Sequence, residues 1–424
     1  MGKYRKRGFL KMKSIMAQSN VPQSHKMEMR LQKSTPFRKW NGRFNKDKAI
    51  CLQGQFAGMC YEPDGMEALK REPKGKTLGR IGRTLEVEHS TPYEHINITF
   101  EATNISKALA MLLNGQRQNA TSEKSARYTP LGDHSSVSEE EFKLYWKWMP
   151  IFKTLIKEQY GKDFDDKKTI KLAQENARYF LSVHSPLTKM VHTIPFAQIN
   201  RVATYIDKYI NQPDRNEYDK RLKNECIEFL GWCDELNLLD ERAMTNAKDR
   251  SLTLFGEEEV EKNEFGHTYA INYKGSQAQL AQAHRHRTLE YEMLFLDDLL
   301  PIEDRFFIPP IIKGDQKLVR EWLSDMASVA HLNPQGELVS INEYGSFKWF
   351  VEKLKERLCT HAQLEIMLQS QATLWEMYQS FLEQNHQLLP KIEPYLKGAR
   401  CTFPDYTCMN DCKFSEGKTL KRKI

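Results

Sequence analysis

The sequence predicts a mixed fold of the α/β (α+β) class, built from two similar halves that are each a sheet with long helices. Three observations carry this expectation. Strand-like alternation, as in residues 96–100 (INITF), feeds directly into runs with helical apolar spacing, as in 105–113 (ISKALAMLL). The same order returns later: strand-like FGHTYAINYKG at 265–275, a helix from Ser276, and an Arg-rich stop at Arg285-His286-Arg287. Between the two passages lies a polar, mixed stretch at 237–258, suited to a boundary.

Taken in order, the chain begins with a basic segment. Residues 1–45 hold twelve Lys and Arg against the single acid Glu28, so they carry +11 and leave the rest of the chain at −4 of the total +7. Residues 1–48 are therefore expected to be a disordered arm, a transit peptide or sequence upstream of a later start at Met16 or Met27. Contact of this arm with nucleic acid is an open alternative.

Residues 49–60 (AICLQGQFAGMC) read as a strand entering a helix, and Pro63-Asp64-Gly65 as a turn. His89, Thr91 and Glu94 crowd the approach to the strand in INITF, next to the turn-forming Ser90-Thr91-Pro92. A helix is expected over 139–160, its start marked by Ser136, Ser138 and three consecutive Glu that suit a helix N-terminus. Another covers 167–180 and ends in Glu175-Asn176-Ala177-Arg178, where an acid and a base three apart share a face. Further helices are expected over 196–210, 218–236, 316–330 and 347–382. The first repeat thus spans 49–238 and the second 239–400, followed by a tail at 401–424. His95 precedes Arg117 by 22 positions and His267 precedes Arg287 by 20, so the repeats align with small shifts.

With 424 residues, 40% hydrophobic and 28% charged, the chain can bury two ordinary cores and is expected to be soluble. It has neither a run of 18 apolar residues nor an apolar leader, so no membrane role is expected. Eight cysteines suit a reducing, cytoplasmic setting (the host cytoplasm for a viral chain), with organelle targeting by the arm left open. Cys401, Cys408 and Cys412 are too loosely spaced for a zinc site, and no metal is expected.

Two motifs offer chemistry. Residues 116–128 (QRQNATSEKSARY) bring together Glu123, Ser125, Arg127 and Tyr128: acceptor, hydroxyl, guanidinium and phenol within six residues. A nucleoside monophosphate requires such an anion site beside groups that read a ring edge; the plain alternative is a polar loop. Gln282 and Arg285-His286-Arg287 form a second array, whose guanidinium groups bind phosphate or carboxylate bidentately. The plain alternative there is a solvated helix end, where cations gain about 0.3–1 kcal/mol each from the dipole. No Gly-rich phosphate loop, GxSxG elbow or HExxH is present.

The run TPYEHINITF, a helix, then QRQNATSEKSARY resembles the signature region of flavin-dependent thymidylate synthases: Arg-His-Arg, seven variable residues, Ser, then x-Arg-Tyr. ENARYFL (175–181) and KLKERLCTHAQLEI (353–366) resemble later segments of the family. The resemblance covers about 49–400 as two copies, where the family usually has one copy per chain. The departures are reciprocal. The first copy has Gly115-Gln116-Arg117 in place of the triplet but keeps Glu123, Ser125, Arg127 and Tyr128. The second keeps Gln282 and the triplet but has Phe295, Leu296, Asp297 and Asp298 at the Ser-x-Arg-Tyr positions. Arg357 belongs to the second copy, its counterpart in the first falling near Ile206. The Glu175/Arg178 pair belongs to the first, the second having Ala327 and Ala330.

In this family the active site lies at a subunit interface of a homotetramer, one subunit supplying each side. One retained set per copy is what a composite site would leave. The resemblance then implies a dUMP site of Glu123, Ser125, Arg127, Arg178, Gln282, Arg285 and Arg357, with Arg357, Ser125 and Arg285 in catalytic roles. It implies FAD contacts by His89, Thr91, Glu94, Arg285, His286 and Arg287; Ser346 and Lys348 replace the family's Asn-x-Arg flavin contact. The implied reaction is reductive methylation of dUMP to dTMP with FAD, NADPH and methylenetetrahydrofolate, in a homodimer that imitates the tetramer. Two alternatives stay open: a dUMP hydroxymethyltransferase with the same cofactors, and an inactive nucleic-acid-binding relative.

Overall fold

In the computed structural model, residues 26–86, 91–116, 118–125, 127, 129–132, 134–241, 254–408, 412 and 414–424 are described. Along the chain run β1 (Glu28–Leu31), α1 (Lys46–Phe56), α2 (Gly65–Arg71), α3 (Lys74–Glu86), β2 (Asn97–Ile105), α4 (Lys107–Gly115), β3 (Ala120–Glu123), α5 (Glu139–Tyr160) and α6 (Asp166–Ala177). Then come β4 (Thr188–Pro195), α7 (Phe196–Ile210), α8 (Glu217–Glu235), β5 (Thr268–Ser276), α9 (Gln277–Ala283), β6 (Glu290–Leu294), α10 (Gln316–Ser328), β7 (Leu338–Ser346), α11 (Phe347–Arg357), α12 (Leu364–Glu383) and α13 (Leu389–Ile392). The mixed α/β class is as the sequence predicts. Among the described residues no helix is long and apolar enough to cross a membrane.

The chain divides into two compact units. Unit 1 comprises 1–124 and 186–252, unit 2 comprises 125–185 and 253–424, so the stretch read as the first repeat contributes to both.

Unit 1 is organised on an antiparallel sheet in the order β1-β2-β4-β3. Its inner face follows the two-residue period of β2, which buries Ile98, Phe100 and Ala102. Helix α4 is buried from Ala108 to Asn114, and α8 adds Cys226, Phe229 and Leu230. Each such apolar side chain contributes about 1.5–3 kcal/mol relative to exposure.

Two expectations change here. Within the segment expected to be a disordered arm, β1 pairs with β2, burying Met29 and Leu31 with Met27 beside them. Glu28 and Arg30 point outward, and Arg30 forms an ion pair with Glu101 directly opposite (2.6 Å), so the basic charge of this stretch masks a strand. Residues 49–60, expected as a strand entering a helix, contain no strand: 49–56 belong to the helix Lys46–Phe56, capped by Asn45.

Unit 2 has a three-stranded antiparallel sheet in the order β5-β7-β6. Its strand-helix order repeats that of unit 1. Strand β2 leads to α4 and β5 to α9, while β4, between β2 and β3, and β7, between β5 and β6, lead to α7 and α11. Ser106 and Ser276 cap α4 and α9 by accepting from Leu109 N and Gln279 N. Each serine also donates its hydroxyl to a glutamate of the later long helix: Ser106 to Glu225, and Ser276 to Glu365 at 2.5 Å.

Helices α5 and α6 belong to unit 2. At the start of α5, Ser138 and Glu141 form a capping box, and Glu141 Oε1 also accepts from Ser182 N (2.7 Å) and Ser185 Oγ (2.9 Å), fixing the chain after α6. Trp148 and Phe180 pack edge-on against Trp322 of α10, with ring centres 4.9 and 4.6 Å away.

Candidate functional site

Unit 2 holds Ser125 and Arg127 of the first motif, together with Arg178, and the whole of the second motif, while Glu123 belongs to unit 1. At the start of unit 2 the Ser125 carbonyl accepts from Thr129 N and Oγ1, and Ser125 Oγ accepts from Arg127 N at 3.3 Å, a local turn that presents the Arg127 side chain. Arg127 Nε donates to Glu175 Oε2 at 2.6 Å, and its Nη2 donates to the His361 carbonyl at 3.0 Å.

Helix α6, capped by Asp165, carries Glu175 in its last turn and delivers Arg178 just past its end. The face expected to pair these two residues works differently. Arg178 Nε donates to the Glu175 backbone carbonyl (3.1 Å), while the Glu175 carboxylate serves Arg127. Arg178 is 7% exposed, and its buried Nη2 has no hydrogen-bond partner among the described residues. Leaving such a donor unmade costs several kcal/mol in a charged group, a cost that an arriving anion removes. Burial opposes ionisation of Glu175, but Arg127, then Arg178 and Arg422, hold its carboxyl below the usual carboxylate range.

The second motif closes α9. Gln282 is half-buried, Arg285 and Arg287 are exposed, and His286 is buried. Arg357, at the end of α11, donates through Nε to His286 Nε2. That nitrogen must therefore be unprotonated, which places the proton on Nδ1, 3.5 Å from Glu356. Burial keeps His286 neutral, with Arg357 and Lys353 adding to the effect. Burial likewise lowers the Arg357 guanidinium; Glu356 and Tyr291 oppose this, and Arg285 and Arg127 add to it. Arg357 therefore lies in the field of arginines from both halves of the sequence.

The remaining expected residues have local partners in unit 1. Glu123 is ion-paired with Lys107 and accepts from Asn114 Nδ2 (3.1 Å). Glu94 meets Arg201 at 2.9 Å in the short turn that Thr91 opens. His89, Arg117 and Tyr128 lie outside the described residues.

Residues 45–226 match the thymidylate synthase complementing protein family. The resemblance read from the sequence is borne out over that stretch, somewhat under half of the chain. It contains Glu123, Ser125, Arg127, Glu175 and Arg178 but ends before Gln282, the Arg-His-Arg triplet and Arg357. A flavin-dependent thymidylate synthase of Clostridium tetani (strain Massachusetts / E88) is 27% identical over 86 residues, which is 20% of this chain and 34% of the relative. The chain thus spans about a third of the length of the curated relative it matches. A solved UMP/dUMP methylase, PolB of Streptomyces cacaoi bound with 5-Br dUMP, is 17% identical, with a TM-score of 0.31 over 52% of this chain and 94% of that one. At that score the likeness by itself establishes neither fold nor activity.

Sequence reasoning missed Lys168 and Arg422. Burial lowers the Lys168 ammonium and Arg422 lowers it further, with Arg127 contributing. In the sequence both are ordinary members of lysine- and arginine-rich stretches, with no spacing to single them out.

Proposed function

We propose that the chain is a flavin-dependent, thymidylate-synthase-like enzyme that transfers a one-carbon group to dUMP. The observation that carries this is the Arg127–Glu175 pair beside Arg178, whose buried Nη2 lacks a partner among the described residues, inside the segment matched by the family. Four cations, Arg127, Arg178, Arg422 and Lys168, act on the one Glu175 carboxylate, so the cluster favours a dianionic phosphate monoester.

In this reading Arg127 and Arg178 hold the nucleotide phosphate, while Ser125, Gln282 and Arg285 orient the base. Arg357, steadied by neutral His286, stabilises negative charge developing on a pyrimidine carbonyl. FAD supplies the hydride when bound, with NADPH as reductant and methylenetetrahydrofolate as carbon donor. The exposed Arg285 and Arg287 suit flavin phosphates; His286 serves Arg357 instead.

The two units are read as diverged copies of one ancestral unit. Their support is the shared strand order and the matching Ser106–Glu225 and Ser276–Glu365 bonds. Since Ser125, Arg127, Arg178, Gln282, Arg285 and Arg357 all lie in unit 2, each chain holds one nucleotide site, and a homodimer holds two.

The test is incubation of the purified chain with dUMP, NADPH and methylenetetrahydrofolate, followed by mass spectrometry. A methylated product supports reductive methylation, and a hydroxymethyl product moves the assignment to the hydroxymethyltransferase. Unchanged dUMP, no yellow flavin and salt-sensitive DNA binding would overturn both.

A further inference from the structure

The C-terminal segment returns to the arginine cluster of unit 2. Phe414 packs against Tyr160 and Phe164, with ring centres 5.2 and 5.0 Å away. The Lys418 carbonyl accepts from Ala399 N (2.9 Å), and Lys423 N donates to Tyr160 Oη (3.0 Å). Between these anchors Arg422 is only 4% exposed.

Its guanidinium donates through Nη1 to the carbonyls of Thr360 (3.2 Å) and Ile424 (2.9 Å), and through Nη2 to that of Ala362 (2.6 Å). Nε faces Met367 Sδ at 3.3 Å. The carbonyl between, that of His361, accepts from Arg127 Nη2. Three successive carbonyls are therefore held by two arginines, one on the tail and one in the expected phosphate site.

Residues 358–363 carry those carbonyls and join α11, which ends in Arg357, to α12. The loop is also fixed at its far end, where Gln363 Nε2 donates to Tyr179 Oη at 3.1 Å. A guanidinium with all its nitrogens engaged is a rigid connector, because its planar fork fixes the spacing of the acceptors it binds. Without Arg422 the Thr360 and Ala362 carbonyls lose their donor and the loop gains conformational freedom. Arg127 then keeps its bond to Glu175 but loses a fixed acceptor at the His361 carbonyl. Burial, reinforced by Arg127 and opposed by Glu175, pushes Arg422 down to about 10, which leaves it charged at neutral pH.

We propose that Arg422 is a positioning residue: the C-terminal segment locks the 360–362 carbonyls so that Arg127 is pre-set to bind a phosphate monoester. This rests on the assignment of Arg127 to the nucleotide phosphate. The clamp acts on the phosphate alone, so a ligand lacking phosphate should not sense it. It also makes the tail part of the binding machinery instead of a passive terminus.

The experiment is calorimetric titration of the full-length protein with inorganic phosphate, dUMP and deoxyuridine, for wild type and Arg422→Gln. Phosphate and dUMP affinity should fall about tenfold in the variant while deoxyuridine affinity and flavin content hold steady, and Arg422→Lys should recover part of the loss. Phosphate and dUMP affinities within twofold of wild type would overturn the clamp. So would a gain in affinity, which marks the tail as a plug, or an equal loss for deoxyuridine, which marks general disruption. Should Arg422→Gln fail to fold, Tyr160→Phe loosens the tail at Lys423, and a loss confined to phosphate-bearing ligands is expected; no such loss overturns the proposal. Because inorganic phosphate reports the clamp directly, a wild type that binds phosphate but not dUMP in preference to other nucleotides would refute the dUMP assignment and leave the clamp measurable.

Discussion

Replacing Glu175 by Gln exposes the energetic logic of the cluster. The Glu175 side chain is 6% and the Arg127 side chain 13% exposed, and they meet at 2.6 Å. Removing one partner of so buried a pair leaves Arg127, Arg178 and Arg422 without their shared counter-charge, a loss of about 3–5 kcal/mol in folding stability. Phosphate should substitute for the missing carboxylate. If it binds only the folded protein, a concentration of one hundred times Kd returns about 2.7 kcal/mol, roughly half of the deficit or more.

The acid dependence carries a sign as well. The folded carboxyl of Glu175 is held below its ordinary value, so its stabilising contribution is present above the unfolded value and is lost as pH falls through the folded one. Glu175→Gln should therefore lose least relative to wild type in acid. The assay is guanidinium unfolding of wild type and variant at neutral and acid pH, with and without phosphate. A variant as stable as wild type at neutral pH, or one indifferent to phosphate, would refute the counter-charge role.

Other perturbations test neighbouring parts of the account. Burial pushes His284 down to about 4, so the folded protein resists a proton that the unfolded chain accepts near 6.5. Stability should fall by roughly 3 kcal/mol as pH drops from 6.5 to 4, and thermal melts of His284→Gln across that window should show a flatter slope. Lys353 and Glu343 are fully buried at 2.6 Å, with Tyr269 and Tyr273 donating to the same carboxylate. Lys353→Met should cost about 3–5 kcal/mol in denaturant titrations, and adding Glu343→Leu should recover part of it. Ser276→Ala removes the α9 cap and a donor to buried Glu365, so a loss of about 1–3 kcal/mol by chemical unfolding is expected. In steady-state assays Arg127→Ala and Arg285→Ala, although they come from different sequence halves, should each abolish dUMP turnover.

Helices with strong periodicity were legible: the ranges expected at 139–160 and 196–210 coincide with α5 and α7. Strand β7 was not, because it pairs on both sides and buries Val339 to Glu343 in succession, which erases the two-residue alternation. Its buried Asn342 and Glu343 further disguise it as a loop. In β4, buried Thr188 and His192 interrupt the apolar face of Met190 and Ile194. The helix expected over 347–382 is broken at 358–363, where carbonyls released from helical pairing accept from Arg127 and Arg422. Partners that far apart in sequence leave no local signal. The site motifs were legible because residues 123–127 and 282–287 are each compact in sequence. Their division between the units was not, since the chain passes from unit 1 to unit 2 at 124/125, within the first motif, and back at 185/186.

The most direct test of the account is the flavin content of the purified full-length chain, measured by visible absorbance against protein concentration. One FAD per chain is the predicted ratio, since each chain holds one set of Ser125, Arg127, Arg178, Gln282, Arg285 and Arg357. Two per chain would contradict the single site, and none, even after incubation with FAD and dUMP, would contradict flavin dependence itself.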